Sequence, residues 1–457
     1  MSRHRTIALA LLVLDVVSTV TVFNLIAFFR GLPLHDELML FALAAPVTAT
    51  VFAVYLIDGY KARTDMISVD YTSQHAIALV TVMLAILLLT YAFITSNYAL
   101  QSSRAVIMLS FLALIPLTLA YRRSIYLRTL KFRGEHCLVF LGDRDSRILF
   151  QTECQKMNFG QKVVFCATET DPLPLGDPAR EGSSRRFQDI LDDIQQGRLA
   201  VEAIVLRETA RELPPEVSRR LVELYFAGVP TYTLELFHQV YWQKIPLYRL
   251  NQTWLFQDGF QIAREPVFER LKRSSDIAFS LIGLVVSAPV MAVCGLAIWL
   301  EDRGPIFFTQ TRIGKNHAPF RVFKLRTMRS TASTALYTQQ NDNRITRIGK
   351  MLRSTRLDEF PQMWNVLVGD MSLIGPRAEW SRLVEDYERE IPCYHFRHLV
   401  KPGITGWAQV NYPYGASVED TIRKLEYDLF YVRHFSFLLD ATIVLKTIHV
   451  MLFGRGR

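Results

Sequence analysis

Four apolar stretches between Ile7 and Tyr121 constrain this chain more than any other feature. Ile7 to Phe29 is apolar apart from Asp15 and a few small polar residues. The others run from about Leu38 to Ile57, His75 to Ile94 and Ala105 to Tyr121. Each is near the length that crosses a hydrocarbon core. No water enters that core, so every backbone amide must be paired within its own segment, and residues 1–130 are predicted to form a four-helix transmembrane bundle. The first stretch is too long and continuous for a typical signal peptide and lacks a convincing Ala-x-Ala cleavage site. Arg3 and Arg5 precede the first span, Lys61 and Arg63 follow the second, and Arg122, Arg123, Arg128, Lys131 and Arg133 follow the fourth. The opposite loops hold Arg30 with Asp36 and Glu37, and the nearly uncharged run from Thr95 to Arg104. Basic residues stay on the inner side, which predicts a cytoplasmic amino terminus and a cytoplasmic location for everything after the fourth span. Asp15 is costly in lipid, so it should face the bundle, sit near a surface or relay protons.

From Glu135 the pattern changes to short apolar runs between helical stretches. His136–Leu141, Lys162–Ala167, Val201–Leu206 and Thr231–Leu234 read as strands; Ser146–Met157, Phe187–Gln196 and Pro215–Phe226 read as helices. This alternation predicts a Rossmann-like α/β domain over 135–245 with a mostly parallel sheet. Its first turn is Gly142-Asp143-Arg144-Asp145, which keeps one glycine of a dinucleotide fingerprint and puts acids where pyrophosphate would lie. A spacer, regulatory or dimerising module is therefore expected, with a loop from Glu169 to Ser184. The five cysteines form no close pair, so they read as free thiols rather than a metal knuckle or disulfide framework.

Ile277 to Leu300 is a fifth apolar stretch, uncharged, flanked by Lys272 and Arg273 on one side and Glu301, Asp302 and Arg303 on the other. A full crossing would carry everything after it outside. Pro289, in Ser287-Ala288-Pro289, removes a helix hydrogen bond and crowds the preceding turn. A helix that breaks there and re-enters the same face is expected, with a crossing span or a buried core helix as the alternatives.

The remaining segment carries the chemistry. Leu352 to Arg377 reads LRSTRLDEFPQMWNVLVGDMSLIGPR, with adjacent Asp358 and Glu359 following Arg353 and Arg356. Carboxylates beside arginines suit a hard divalent ion working on phosphate, because oxygen binds the ion and guanidinium forks grip phosphoryl oxygens; the plain alternative is a solvated helix laced with ion pairs. Lys324 and Arg326 stand two apart on a predicted strand and so would share a cationic face. Asn343 to Leu357 reads as a basic amphipathic helix carrying Arg344, Arg347, Lys350, Arg353 and Arg356, after a polar loop from Ser330 to Asp342. The net charge of +9 fits nucleic acid, an anionic membrane or a phosphorylated substrate. Five lipid-facing stretches favour anionic membrane lipids over nucleic acid. Trp407 either stacks on a base or packs. His395, His398 and His434 lack zinc-ligand spacing, with no compatible third ligand evident. The last apolar helix, about Phe435 to Phe453, lies in the interface, packs under the carboxyl domain or crosses.

Residues 264–457 resemble the bacterial sugar transferase domain of the polyprenyl-phosphate hexose-1-phosphate transferases. The resemblance rests on Lys272-Arg273-Ser274-Ser275-Asp276, Ser287-Ala288-Pro289, Lys324-Leu325-Arg326-Thr327-Met328, Leu357-Asp358-Glu359-Phe360-Pro361-Gln362, Asn365 to Ser372, Gly375-Pro376-Arg377 and Lys401-Pro402-Gly403-Ile404-Thr405-Gly406. The four spans and α/β middle are similar to the larger members, and the tail resembles the exopolysaccharide branch. One departure is Ala378, where many members have a second proline. The resemblance implies a mainly helical catalytic domain with a re-entrant helix at 277–300, on the cytoplasmic face of a bacterial inner membrane. It implies transfer of hexose-1-phosphate from a UDP-sugar to undecaprenyl phosphate, with Asp358 as nucleophile and Glu359 as Mg²⁺ ligand. Lys324, Arg326, Arg353, Arg377 and Lys401 become candidates for phosphate or nucleotide contact. Asp276 would secure the re-entrant helix through basic partners, Pro289 would break it, Pro361 would steer its preceding residue away from helical torsions, and Gln362 and Asp370 would organise the site. A homodimer through the middle or membrane domains is expected.

Overall fold

The computed structural model describes residues 3–31, 38–61, 64–93, 99–133, 136–142, 144–157, 161–167, 185–207, 215–247, 266–329, 344–412, 415 and 417–453. The predicted loops at 169–184 and 330–342 lie outside these residues. The chain divides into two compact units, Met1–Gln243 and Lys244–Arg457.

The first unit begins with four helices, α1 (Arg3–Phe29), α2 (Leu38–Leu56), α3 (Val69–Phe93) and α4 (Ala99–Arg133). Their positions follow the apolar stretches. Three of them, α1, α3 and α4, contain segments long and apolar enough to cross a membrane; α2, 19 residues in all, holds the described apolar run Leu43–Leu56. With the long apolar helix of the second unit, this makes a multi-pass membrane protein. Asp15 faces inward and is fully buried, as is Arg122 of α4. The guanidinium donates to both Asp15 oxygens, at 2.8 and 2.6 Å, and the hydroxyls of Tyr60 and Tyr121 donate to the same carboxylate. A charge that lipid would reject is thus paired and hydrogen-bonded inside the bundle.

The same unit continues as an α/β layer of β1 (Cys137–Leu141), α5 (Arg144–Lys156), β2 (Val163–Ala167), β3 (Arg185–Arg186), α6 (Phe187–Gln195), β4 (Val201–Leu206), α7 (Pro215–Phe226), β5 (Thr231–Thr233) and α8 (Leu234–Phe237). All four pairings are parallel and the order is β3-β2-β1-β4-β5. Every residue of β1 is buried, as a central parallel strand covered on both faces requires.

The second unit is built on α9, a helix running from Pro266 to Asp302. The helix continues through Pro289, so the expected break in helical structure there is not observed; proline withholds one donor without ending the segment. Its carboxyl half buries Cys294 and Ile298 against Leu325 and Leu352. Strands β6 (Phe307–Ile313) and β7 (Pro319–Leu325) form an antiparallel hairpin. Then come α10 (Arg347–Thr355), α11 (Gln362–Val368), β8 (Ser372–Ile374), α12 (Ser381–Glu390), β9 (Gly403–Thr405), α13 (Trp407–Asn411), α14 (Val418–Arg433) and α15 (Phe437–Phe453).

The predicted helix from Asn343 to Leu357 is shorter than expected. Thr346 accepts from the Gly349 amide and starts α10, while Arg356 adopts a left-handed conformation and ends it. Asn343 lies outside the described residues. The main core centres on α14, whose Leu425, Leu429, Tyr431 and Val432 are buried with Trp407, Tyr394 and Ile443. Trp407 therefore packs. Helix α15 buries Asp440, Ile443, Leu445 and His449 in this unit and leaves Val444, Met451, Leu452 and Phe453 exposed, so it packs on the carboxyl core along one face.

Candidate active site

The acid pair occupies a 3-10 turn, Leu357–Glu359, between α10 and α11. The left-handed residue Arg356 (φ 60°) reverses the chain, so both carboxylates turn inward; each residue is only 8% exposed. Phe360 keeps helical torsions although it precedes proline, contrary to the expected steering. Pro361 instead sets the entry to α11.

Glu359 accepts from Lys324 Nζ at 2.7 Å and Arg377 Nη2 at 3.3 Å, both on Oε1. Burial alone would raise its pKa, but Arg377 and Lys324 hold it well below the usual carboxylate range. Asp358 differs. Burial, then the neighbouring Glu359, push its carboxyl up, against Lys324, Arg353 and Arg356. Its Oδ1 is buried and has no hydrogen-bond partner. Two adjacent carboxylates are thus driven apart in acidity, a frequent property of reactive pairs.

Lys324 and Arg326 take different partners: Lys324 goes to Glu359, and Arg326, just past the end of β7, pairs with Asp302 at the end of α9. Arg353 donates to Thr327 Oγ1 at 2.9 Å. Gln362 is buried with its amide nitrogen unpartnered, and with Arg312, Lys324, Arg377 and Gly403 it lines a shallow cleft beside Glu359. Lys401 stands apart from the acid pair. Its ionic neighbours are Arg273, Asp276, Lys315 and Glu269, and burial lowers its pKa. Asp370 receives a 3.4 Å contact from Asn365, the residue that ties α11 to β7 by accepting from Phe323 N and donating to Arg321 O.

Asp276 accepts from Ser372 Oγ and Leu373 N, each at 3.1 Å, and Lys401 is its basic neighbour. Arg273 donates to the carbonyls of Val366 and Leu367 at the end of α11. At the other end of α9, Glu301 accepts from the first amides of α10, Arg347 N and Ile348 N. Both halves of α9 therefore hold elements of the same site.

Arg377 is positioned by backbone contact. A Cβ on Gly403 would stand 2.1 Å from Gly375 N, and one on Gly375 would stand 2.3 Å from Lys401 O. Only glycine lets β8 and β9 approach this closely. Gly403→Ala is expected to cost about 1–3 kcal/mol by overpacking, read as a lowered melting temperature in detergent; an unchanged melting curve would refute this packing role.

Sequence reasoning missed Arg397. It is buried, pairs with Asp428 at 2.9 Å and donates to the Arg377 carbonyl at 2.8 Å. Asp428 and Arg377 lie on other segments, and no spacing along the chain marks them. Among the described residues, one group of potential metal donors is present, His317, Glu388 and His398.

Residues 267–454 match the sequence profile of the family described as bacterial sugar transferase. Over 288 residues the chain is 38% identical to a UDP-N-acetylgalactosamine-undecaprenyl-phosphate N-acetylgalactosaminephosphotransferase of Aeromonas hydrophila, covering 62% of this chain and 67% of that relative. The chain belongs to the bacterial sugar transferase family. A second family member, the UDP-glucose:undecaprenyl-phosphate glucose-1-phosphate transferase of Escherichia coli (strain K12), is 42% identical over 182 residues, 39% of each chain. An exopolysaccharide production protein of Rhizobium leguminosarum bv. phaseoli is 41% identical over 186 residues, which is 39% of this chain but 93% of that relative. Membership makes this protein an enzyme, and the acid pair, Lys324 and Arg377 all lie inside the matched transferase segment.

Proposed function

We propose that this enzyme transfers hexose-1-phosphate from a UDP-sugar to undecaprenyl phosphate, giving undecaprenyl-diphosphate-hexose and UMP, as the first step of exopolysaccharide synthesis. The observation that carries this reading is the buried, unpartnered Asp358 oxygen beside a Glu359 held ionised by two cations. A carboxylate oxygen of Asp358 attacks the sugar-bearing phosphorus of the donor. The bond to the bridging oxygen breaks and its electron pair leaves with UMP. The phosphate oxygen of the lipid then attacks the same phosphorus and releases Asp358. Lys324, Arg353 and Arg377 offset the donor's negative charge at the acid pair, and Lys401, apart from that pair, offers a fourth cation to a more distant phosphate oxygen. Arg326, held by Asp302, supports from the side.

The acid pair fits Mg²⁺, because Asp358 Oδ1 is an orphaned buried oxygen next to a second, ionised carboxylate. Glu359 would hold the ion, which supplies positive charge to phosphoryl oxygens when bound.

Both ends of α9 bond to one folding unit, and this supports a helix that bends near Pro289 and returns to the face it entered. The apolar side chains exposed along α9, with Trp364 and Val368 of α11, would face lipid. The site would then work at the cytoplasmic face of the inner membrane, where a soluble nucleotide sugar meets a lipid phosphate. An impermeant thiol reagent should reach a cysteine placed at exposed Lys350 only from the cytoplasmic side; labelling from outside would refute this topology.

The direct test mixes purified full chain, Mg²⁺ and undecaprenyl phosphate with a panel of UDP-sugars and reads UMP. Release with no donor in the panel would overturn the proposal. Asp358 must be ionised to attack, so kcat/KM should rise with pH through a limb above the ordinary carboxylate pKa. Arg353 lowers the Asp358 pKa, so Arg353→Met should move this limb to higher pH. A limb that stays in place would remove Arg353 from the electrostatics of the nucleophile.

A further inference from the structure

At the tip of the β6–β7 hairpin lies a second cluster, separate from the acid pair. His317 sits in the 3-10 turn Lys315–His317, Glu388 on α12, and His398 in the 3-10 turn Tyr394–Leu399. One ligand atom from each lies within 4.8 Å of the other two. His317 Nδ1 is 3.2 Å from Glu388 Oε1, and the His317 and His398 ring centroids are 4.7 Å apart. His398 is 6% exposed and its Nε2 has no hydrogen-bond partner. A buried ring nitrogen with no partner, within reach of two further donor atoms, is available to ligate.

We propose that His317, Glu388 and His398 bind one transition-metal dication of the zinc type. Two imidazole nitrogens and one carboxylate oxygen suit such an ion; Mg²⁺ wants an octahedron of oxygens. Donors around a tetrahedral zinc, about 2.0–2.2 Å from it, stand roughly 3.3 Å apart. His317 and Glu388 already have that spacing. Their side chains are 48% and 33% exposed, so both can move inward toward buried His398 and leave a fourth position to water. The three ligands come from segments distant in sequence. The ion would fasten the hairpin tip to α12 and to the turn that contains Arg397, whose guanidinium holds the Arg377 carbonyl. The leading charges on Asp358 are Glu359, Lys324, Arg353 and Arg356, and those on Glu359 are Arg377, Lys324 and Arg356.

The test uses the full chain in detergent, free of any histidine tag and stripped with a chelator. Zn²⁺ alone is titrated in competition with a chromogenic chelator, and Co²⁺ is used in parallel for its visible spectrum. One Zn²⁺ per chain and the intense bands of four-coordinate Co²⁺ are expected. His317→Asn, in which asparagine tolerates the left-handed backbone (φ 62°), and Glu388→Gln should each weaken Zn²⁺ at least about tenfold. Both residues are partly exposed, and a preserved melting profile shows that the variants fold. Asp358→Asn and Glu359→Gln should leave Zn²⁺ affinity within about twofold. Substoichiometric Zn²⁺, unchanged affinity in the two ligand variants, or affinity lost in Glu359→Gln would each overturn the proposal.

Discussion

Asp358→Asn is expected to lower sugar-phosphate transfer at least about a thousandfold, the scale seen when an enzyme loses its nucleophile. The amide has the shape of the carboxyl group and fits the same buried turn, but its oxygen carries no charge to attack phosphorus. Lys324 and Arg377 remain in place on Glu359, so donor binding should stay within a few-fold of the parent. Removing a negative charge next to an incoming diphosphate can only ease that binding. Single-turnover experiments with a donor labelled in the sugar phosphate, run without lipid, give the decisive reading. The parent chain should retain label covalently on Asp358 and release UMP in equal amount, and the variant should do neither. A parent that forms no covalent species yet turns over would replace the two-step route with direct transfer. A variant that keeps a tenth of the parental rate would remove Asp358 from the chemistry.

The second large effect belongs to the membrane bundle. Asp15→Leu leaves the Arg122 guanidinium fully buried without a carboxylate. Breaking one partner out of a buried pair costs about 3–5 kcal/mol, much of it the desolvation of the stranded charge. The double variant Asp15→Leu/Arg122→Met removes both charges and should recover most of that loss. Thermal unfolding in detergent, followed on parent, single and double variants, measures both. A single variant that melts with the parent would make the pair incidental; a double variant no better than the single would assign the effect to packing.

The apolar helices and the α/β alternation were legible in the sequence because hydrophobic periodicity is local. The acid pair was legible because its neighbours Arg353 and Arg356 are close in the chain. What escaped depends on distant contacts. Asp15 was recognised as costly, but its partner lies 107 positions away. Lys324 and Arg326 were read together as one cationic pair, but their partners, Glu359 and Asp302, stand far apart in the sequence and divide them. Pro289 was read as a breaker, yet the surrounding apolar helix absorbs one missing donor. Thr346 is the residue that caps α10, and regular arginine spacing around it concealed that boundary. His398 could not be matched to His317 and Glu388 because a hairpin tip, a helix and a turn bring them together only in three dimensions.

Helix α9 is fastened to one folding unit through Arg273 and Asp276 on one side of Pro289 and through Glu301 and Asp302 on the other. A unit fitted this way brings its own keel: it needs no borrowed segment to be moored in lipid. A shortened version that begins at Lys244, and so keeps Ile245 and Leu247 in the core and Lys244 on Glu426, should still assemble.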